Sequence, residues 1–154
     1  MIKLRKAILN ELKDLSLNIQ KRKESLATFL NVSIEDIDCT DELENIFSID
    51  NEEYLVLTYE EAREKTEEYI KDSLCYFNPD FIYYHSIFNG RDEDCIDIIK
   101  AIQEKENSSL IEDIIEDIDS FIEDAICCDG IGHFLATYDH EENSQGDFLI
   151  YRVN

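Results

Sequence analysis

Between Ser108 and Ile126 the chain reads SSLIEDIIEDIDSFIEDAI. Ile111, Ile114, Ile115, Ile118, Phe121, Ile122, Ala125 and Ile126 recur there with helical period. That spacing predicts an amphipathic helix over 109–128 with one buried stripe. Ser109 is its expected N-cap, with Glu112 completing a capping box, and Gly130 is placed to end it. The same stretch holds seven carboxylates and no lysine or arginine. Glu112, Glu116, Asp119 and Glu123 are expected in one row, with Asp113, Asp117 and Asp124 in a second row beside it. Like charges so spaced cost roughly 0.2–0.5 kcal/mol per pair. Burying each large apolar side chain gains roughly 1.5–3 kcal/mol. Packing therefore tolerates the acid rows without requiring them.

The single sign of that helix extends to most of the chain. Thirty-seven acids face fourteen bases over 154 residues, a net charge of −23. Seven of the bases lie in residues 1–30 with only three acids, so that segment is cationic and the remaining 124 residues carry −27. Such a surface repels DNA, RNA and anionic lipid, and attracts basic partners at long range. Direct nucleic-acid binding and membrane binding are thus disfavoured. An apolar fraction of 44% argues against an acidic disordered tail. The length suits one domain, expected over 1–154, with 1–30 a basic helical segment and 31–154 an acidic body. No stretch has the length of a membrane span and the N-terminus lacks a signal peptide's apolar run, so a cytoplasmic location is expected. The five cysteines, Cys39, Cys75, Cys95, Cys127 and Cys128, have no disulfide or zinc spacing and read as free thiols, mostly buried.

Other segments complete an α+β plan. Residues 2–30 read as one long helix or two shorter ones. Ile2, Leu4, Ala7, Ile8, Leu12, Leu15 and Ile19 are at helical spacing, Leu26, Phe29 and Leu30 resume it, and Lys21-Arg22-Lys23 marks a possible bend. LATFLNVSIEDI, 26–37, is similar to the first half of a helix-turn-helix, but acidic CTDELENIF follows it, which disfavours a DNA-reading role. Ile46–Ile49 and Tyr54–Leu57 read as a hairpin turning at Asp50-Asn51. Thr58 and Glu61 form a capping box for a helix that Asn78-Pro79 stops. Residues 81–88 read as a short helix or a buried strand, with helix preferred, and 92–105 read as another helix. HFLATYD and DFLIYRV alternate as a second hairpin around Gly146. The expected fold is helices packed on one face of a small antiparallel sheet made from two β-hairpins.

Two stretches, EYLVLTYEEAREKTEEYIKDSLCYFNPDF over 53–81 and DGIGHFLATYDHEE over 129–142, carry a resemblance. Through Leu57-Thr58, Glu60-Glu61-Ala62, Tyr69-Ile70, Phe77-Asn78, Asp129-Gly130, Gly132-His133 and Tyr138-Asp139, the chain resembles small acidic proteins encoded by phages and prophages of low-GC bacteria. The resemblance covers roughly the C-terminal two thirds and implies a genomic setting rather than a reaction. In that setting small acidic proteins include anti-CRISPR and antirestriction inhibitors of host defence that imitate nucleic acid.

Three chemistries compete for the site. Neighbouring carboxylates on a helix lie about 5–6 Å apart, close to the phosphate spacing along one DNA strand, so a rigid acid row can occupy an Arg/Lys groove built for nucleic acid. The residues expected to do so are Glu60, Glu64, Glu67 and Glu68 together with Glu112, Asp113, Glu116, Asp117, Asp119, Glu123 and Asp124. The expected partner is a basic nucleic-acid-binding host protein, a CRISPR effector or a restriction-type enzyme, met in the cytoplasm of the infected bacterium; a homodimer is also open. An acidic phage interaction module without such imitation is the alternative. A small hydrolase using Cys127 or Cys128 with His133, His85 or His140 is a third reading, opposed by surroundings that would raise a thiol pKa. Asp36, Asp38, Asp92 and Asp94 lack the order of a calcium loop, and no phosphate loop, dinucleotide fingerprint or H-E-x-x-H occurs. The expectation is a non-enzymatic protein without metal or cofactor.

Overall fold

The computed structural model describes residues 2–92 and 94–154, and side chains from residue 12 onward. Helix α1, Ile2–Leu30, is continuous through Lys21-Arg22-Lys23. The expected apolar positions Ile2, Leu4, Ala7 and Ile8 lie outside the described side chains. Leu12 and Leu15 are exposed, whereas Leu26 and Ala27 are buried, so it is the C-terminal half of α1 that packs. The helix ends at Asn31, which takes the left-handed conformation (φ 57°) common just past a helix end. A single 3-10 turn over Ile34–Asp36 then leads into a strand, not a second helix, so no helix-turn-helix forms.

Strand β1 (Asp38–Asp41) was not expected; β2 (Ile46–Ile49) and β3 (Glu52–Leu57) are the expected first hairpin. Asp50 turns it with φ 53°, as turn chemistry at Asp50-Asn51 requires. Near the C-terminus β4 (Asn143–Gln145) and β5 (Phe148–Arg152) form the second hairpin around Gly146. The five strands make one open antiparallel sheet, in the order β1-β2-β3-β5-β4. Leu57 stands opposite Leu149 and Val56 opposite Ile150 where the two hairpins join.

HFLATYD is not a strand. Ile131–Leu135 is a short helix, α7, and the first strand of the last hairpin lies at 143–145. Ile131, Phe134 and Leu135 are all buried; their i, i+3, i+4 spacing puts them on one face of a helical turn, whereas a strand would send the adjacent Phe134 and Leu135 to opposite faces.

The chain divides into two compact units, residues 1–63 with 135–154, and residues 64–134. In the first, Leu26 and Ala27 of α1 pack with Phe47, Tyr54, Val56 and Ile150 on one sheet face. Leu55, Leu57 and Tyr151, which point to the other face, are buried as well. Helix α2, Tyr59–Asp72, begins on the expected capping box: the Thr58 amide donates to Glu61 Oε2 at 2.7 Å and the Glu61 amide to Thr58 Oγ1 at 3.3 Å. The helix stops at Asp72, earlier than expected, and a 3-10 turn spans Leu74–Tyr76.

The second unit continues with α3 (Pro79–His85) and α4 (Asp94–Gln103). Asn78 caps α3 by accepting from the Asp80 amide at 2.8 Å, with Pro79 at the first helical position. The long helix expected over 109–128 is two helices, α5 (Ser108–Glu112) and α6 (Ile118–Asp129). Asn107, not Ser109, caps α5. The break has a tertiary cause. The Ile87 amide donates to the Ile114 carbonyl and the Glu116 amide to the His85 carbonyl, both at 2.9 Å, so backbone groups that would close the helix are spent on the 85–87 segment. All eight positions of the expected apolar stripe are nevertheless buried or half-buried. With Ile70, Leu74, Ile82 and Ile99 they form this unit's core.

Candidate functional site

The carboxylates expected to bind a partner fall into three groups. Glu60, Glu64 and Glu68 are exposed on α2, and Asp72 continues their i+4 series on the same helix. At a rise of about 1.5 Å per residue they repeat every 6 Å or so along the axis. Glu67 is half-buried beside the row. Asp119, Glu123 and Asp124 are exposed on α6, where Cys127 and Cys128 extend the same face. Glu112, Asp113 and Glu116 are exposed but belong to α5 and the break after it, so neither acid row expected over 112–124 exists as drawn.

Asp117 has a structural task instead. Its Oδ1 accepts from the amides of Asp119 and Ser120, both at 3.1 Å, as the N-cap of α6. Asp117→Ala is expected to cost about 1 kcal/mol of stability and Asp117→Asn almost none. Urea unfolding of the two variants checks this; equal losses would mean the charge, not the cap, matters there.

Two adjoining hollows lie within the second unit. The first, about 370 Å³, is lined by Tyr69, Ser73, Tyr76, Phe77, Asn78, Asp129, His133 and Phe134. The second, about 470 Å³, is lined by Phe77, Asn78, Asp80, Phe81, Tyr84, Ala125, Cys128 and Asp129. They share Phe77, Asn78 and Asp129. The elements explain the convergence: α2 and its 3-10 turn deliver 69–77, the capped start of α3 delivers 78–84, and the end of α6 with the start of α7 delivers 125–134. The floor is aromatic. Phe77 meets Phe121 edge-on at 5.1 Å and Phe134 at 6.5 Å, and Tyr69 meets Phe134 at 6.1 Å. The Glu106 carboxylate, with a smaller effect from Cys75, holds the Tyr76 hydroxyl above its ordinary pKa. Tyr69, Phe77 and Asn78 come from one of the two stretches that carried the resemblance, Asp129 and His133 from the other. The sequence shows both stretches but not that they meet, because the ends of three elements bring them together.

The cysteines expected to be buried are mostly not. Cys75 is buried, Cys39 and Cys95 are intermediate, and Cys127 and Cys128 are exposed; all five are free. Cys128 lines the hollow without a histidine and His133 the hollow without a cysteine, so neither hollow assembles the pair a thiol hydrolase needs. His85 is buried in its own surroundings, against the rings of Phe81 at 4.9 Å, Tyr84 at 5.1 Å and Phe121 at 5.2 Å. Its Nε2 is 3.4 Å from Asp124 Oδ2 but not in hydrogen-bonding geometry. Among the described residues no group of three or more His, Cys, Asp or Glu side chains is placed to hold a metal ion, and no helix is long and apolar enough to cross a membrane.

Compared with protein-family models, characterised proteins and solved structures, the chain matches none of them.

Proposed function

We propose that the chain is a non-enzymatic inhibitor of bacterial host defence, of phage or mobile-element origin. It would bind a nucleic-acid-handling protein, a CRISPR effector or a restriction-type enzyme, and compete for the groove that takes DNA or RNA. The observation that carries this reading is the exposed series Glu60, Glu64, Glu68 and Asp72 on one helix. A helix fixes its own backbone, so the carboxylates it carries repeat at a set interval, comparable to that of phosphates on one strand. Asp119, Glu123 and Asp124 on α6 add charge of the same sign. Residues 64–134 contain nineteen acids and five lysines or arginines, a field that speeds encounter with a cationic groove. Arg22 of the cationic segment is committed to Glu61, outside the row.

The test is competition. Nucleic acid bound to the candidate target should be displaced by the chain, and displacement should weaken steeply as salt rises. Glu64→Lys with Glu68→Lys should lower affinity for the target about a hundredfold or more, since each reversal puts a cation against a cation. Undiminished binding by that variant at equal fold content would overturn the reading. A plain interaction module is favoured by a different observation, the exposed Tyr76 and Tyr84 beside the hollows. That reading expects tolerance of the α2 reversals and loss of binding when the tyrosines are removed.

A further inference from the structure

The paired hollows have walls, charge and helix ends of one kind. Tyr76 is 72% exposed and Tyr84 64%, with Tyr69 half exposed beside them. Large aromatics left mostly in water gain little from the fold, and a group of them around one depression is the usual make-up of a contact surface. Asp80 and Asp129 are exposed at its edge, and among the described residues no lysine or arginine lines either hollow. Asp129 is also the last residue of α6, and the last turn of that helix has no basic residue. The open carbonyls of a helix C-terminus already carry partial negative charge and favour a cation. Asp129 therefore adds negative charge at a place that already favours a cation.

We propose that these hollows are an arginine-binding site, in which the guanidinium of a partner protein's arginine lies against the Tyr76 and Phe77 rings with Asp129 as its counter-ion. Arginine is the occupant rather than lysine for a physical reason. A planar, weakly hydrated guanidinium stacks on aromatic faces and meets a carboxylate with two parallel bonds, whereas an ammonium holds its water. The site deepens the reading given above and rests on it: it names the side chain by which a basic partner is anchored, while the acid row on α2 steers.

The full chain is titrated at low salt with two short peptides of equal length and charge, one carrying arginines and the other lysines at the same positions. The arginine peptide should bind about tenfold more tightly. Tyr76→Ala and Asp129→Asn should each lower its affinity about five- to tenfold, with helix content kept and the unfolding midpoint not lowered. Equal affinities for the two peptides, or an arginine preference untouched by both substitutions, would overturn the site. The two proposals fail separately. Arginine preference through Tyr76 and Asp129 without displacement of nucleic acid from any target keeps the site and removes the inhibitor reading. Displacement that depends on Glu64 and Glu68, with no preference for arginine, removes the site and keeps the inhibitor.

Discussion

Replacing Arg22 with methionine is expected to destabilise the protein by about 3–5 kcal/mol. The side chain is 1% exposed, the most buried charge described in the molecule. Its guanidinium donates to the Val56 carbonyl, to Glu61 Oε1 at 2.7 Å and to Asn18 Oδ1 at 3.1 Å, and it lies over the Phe148 ring at 5.0 Å. Methionine fills much of the volume but leaves the Val56 carbonyl and Glu61 Oε1 without their Arg22 donor, and the half-buried carboxylate without its counter-ion. Leaving one member of a buried pair behind costs more than the pair itself contributes. Arg22→Met with Glu61→Gln should therefore recover part of the loss, because the uncharged amide needs no cation and its oxygen can still accept from the Thr58 amide. At roughly 2–4 °C per kcal/mol for a chain of this size, the single variant should melt roughly 6–20 °C lower. A loss below about 1 kcal/mol would show the buried charge to be water-reached and unimportant.

The same pair sets an acid limb. Burial pushes the Glu61 carboxyl up, but the hydrogen bonds from Arg22 and Thr58 outweigh it and hold the group below its ordinary range. A carboxylate whose folded pKa is lowered contributes stability that is present above its unfolded value, about 4.3, and is lost as pH falls through the folded one. Arg22→Met should flatten that decline, which unfolding midpoints measured between neutral and acid pH would read directly.

Local signals were legible and long-range pairing was not. The Thr58–Glu61 box depends on residues three apart, and the Asp50 turn on its immediate neighbours; both were readable because the whole interaction lies in one short window. The break at 113–117 depends on residues 85–87, and nothing within 108–126 announces a partner so distant. Strands β1 and β4 are short and polar, with no alternation to read; their place is set by pairing with β2 and β5. Arg22 stood in a cationic triplet whose ordinary fate is solvent, and its burial follows from where α1 crosses β3. For the candidate site the α2 carboxylates were readable from helical spacing, because that helix is uninterrupted. The hollows were not, since they need the ends of three elements brought together.

Phe121→Ala should be comparably damaging, at about 3–5 kcal/mol, and should also disable the hollows. Phe121 is fully buried, with its ring centroid 5.1 Å from Phe77, 4.9 Å from Phe81 and 5.2 Å from His85. Deleting it removes transfer energy and three edge-on ring contacts, and leaves a void that close-packed neighbours fill only in part. Phe77 and Phe81 are walls of the hollows on one side and neighbours of Phe121 on the other. Without their support the rings can tilt into the void, so affinity for the arginine peptide should fall even at temperatures where the chain is still folded. Phe121→Leu keeps most of the volume and should lose less on both counts. Urea unfolding gives the first quantity and peptide titration of the folded variant the second. A destabilised variant with full peptide affinity would mean that the walls hold their own geometry, and that the aromatic floor serves stability alone.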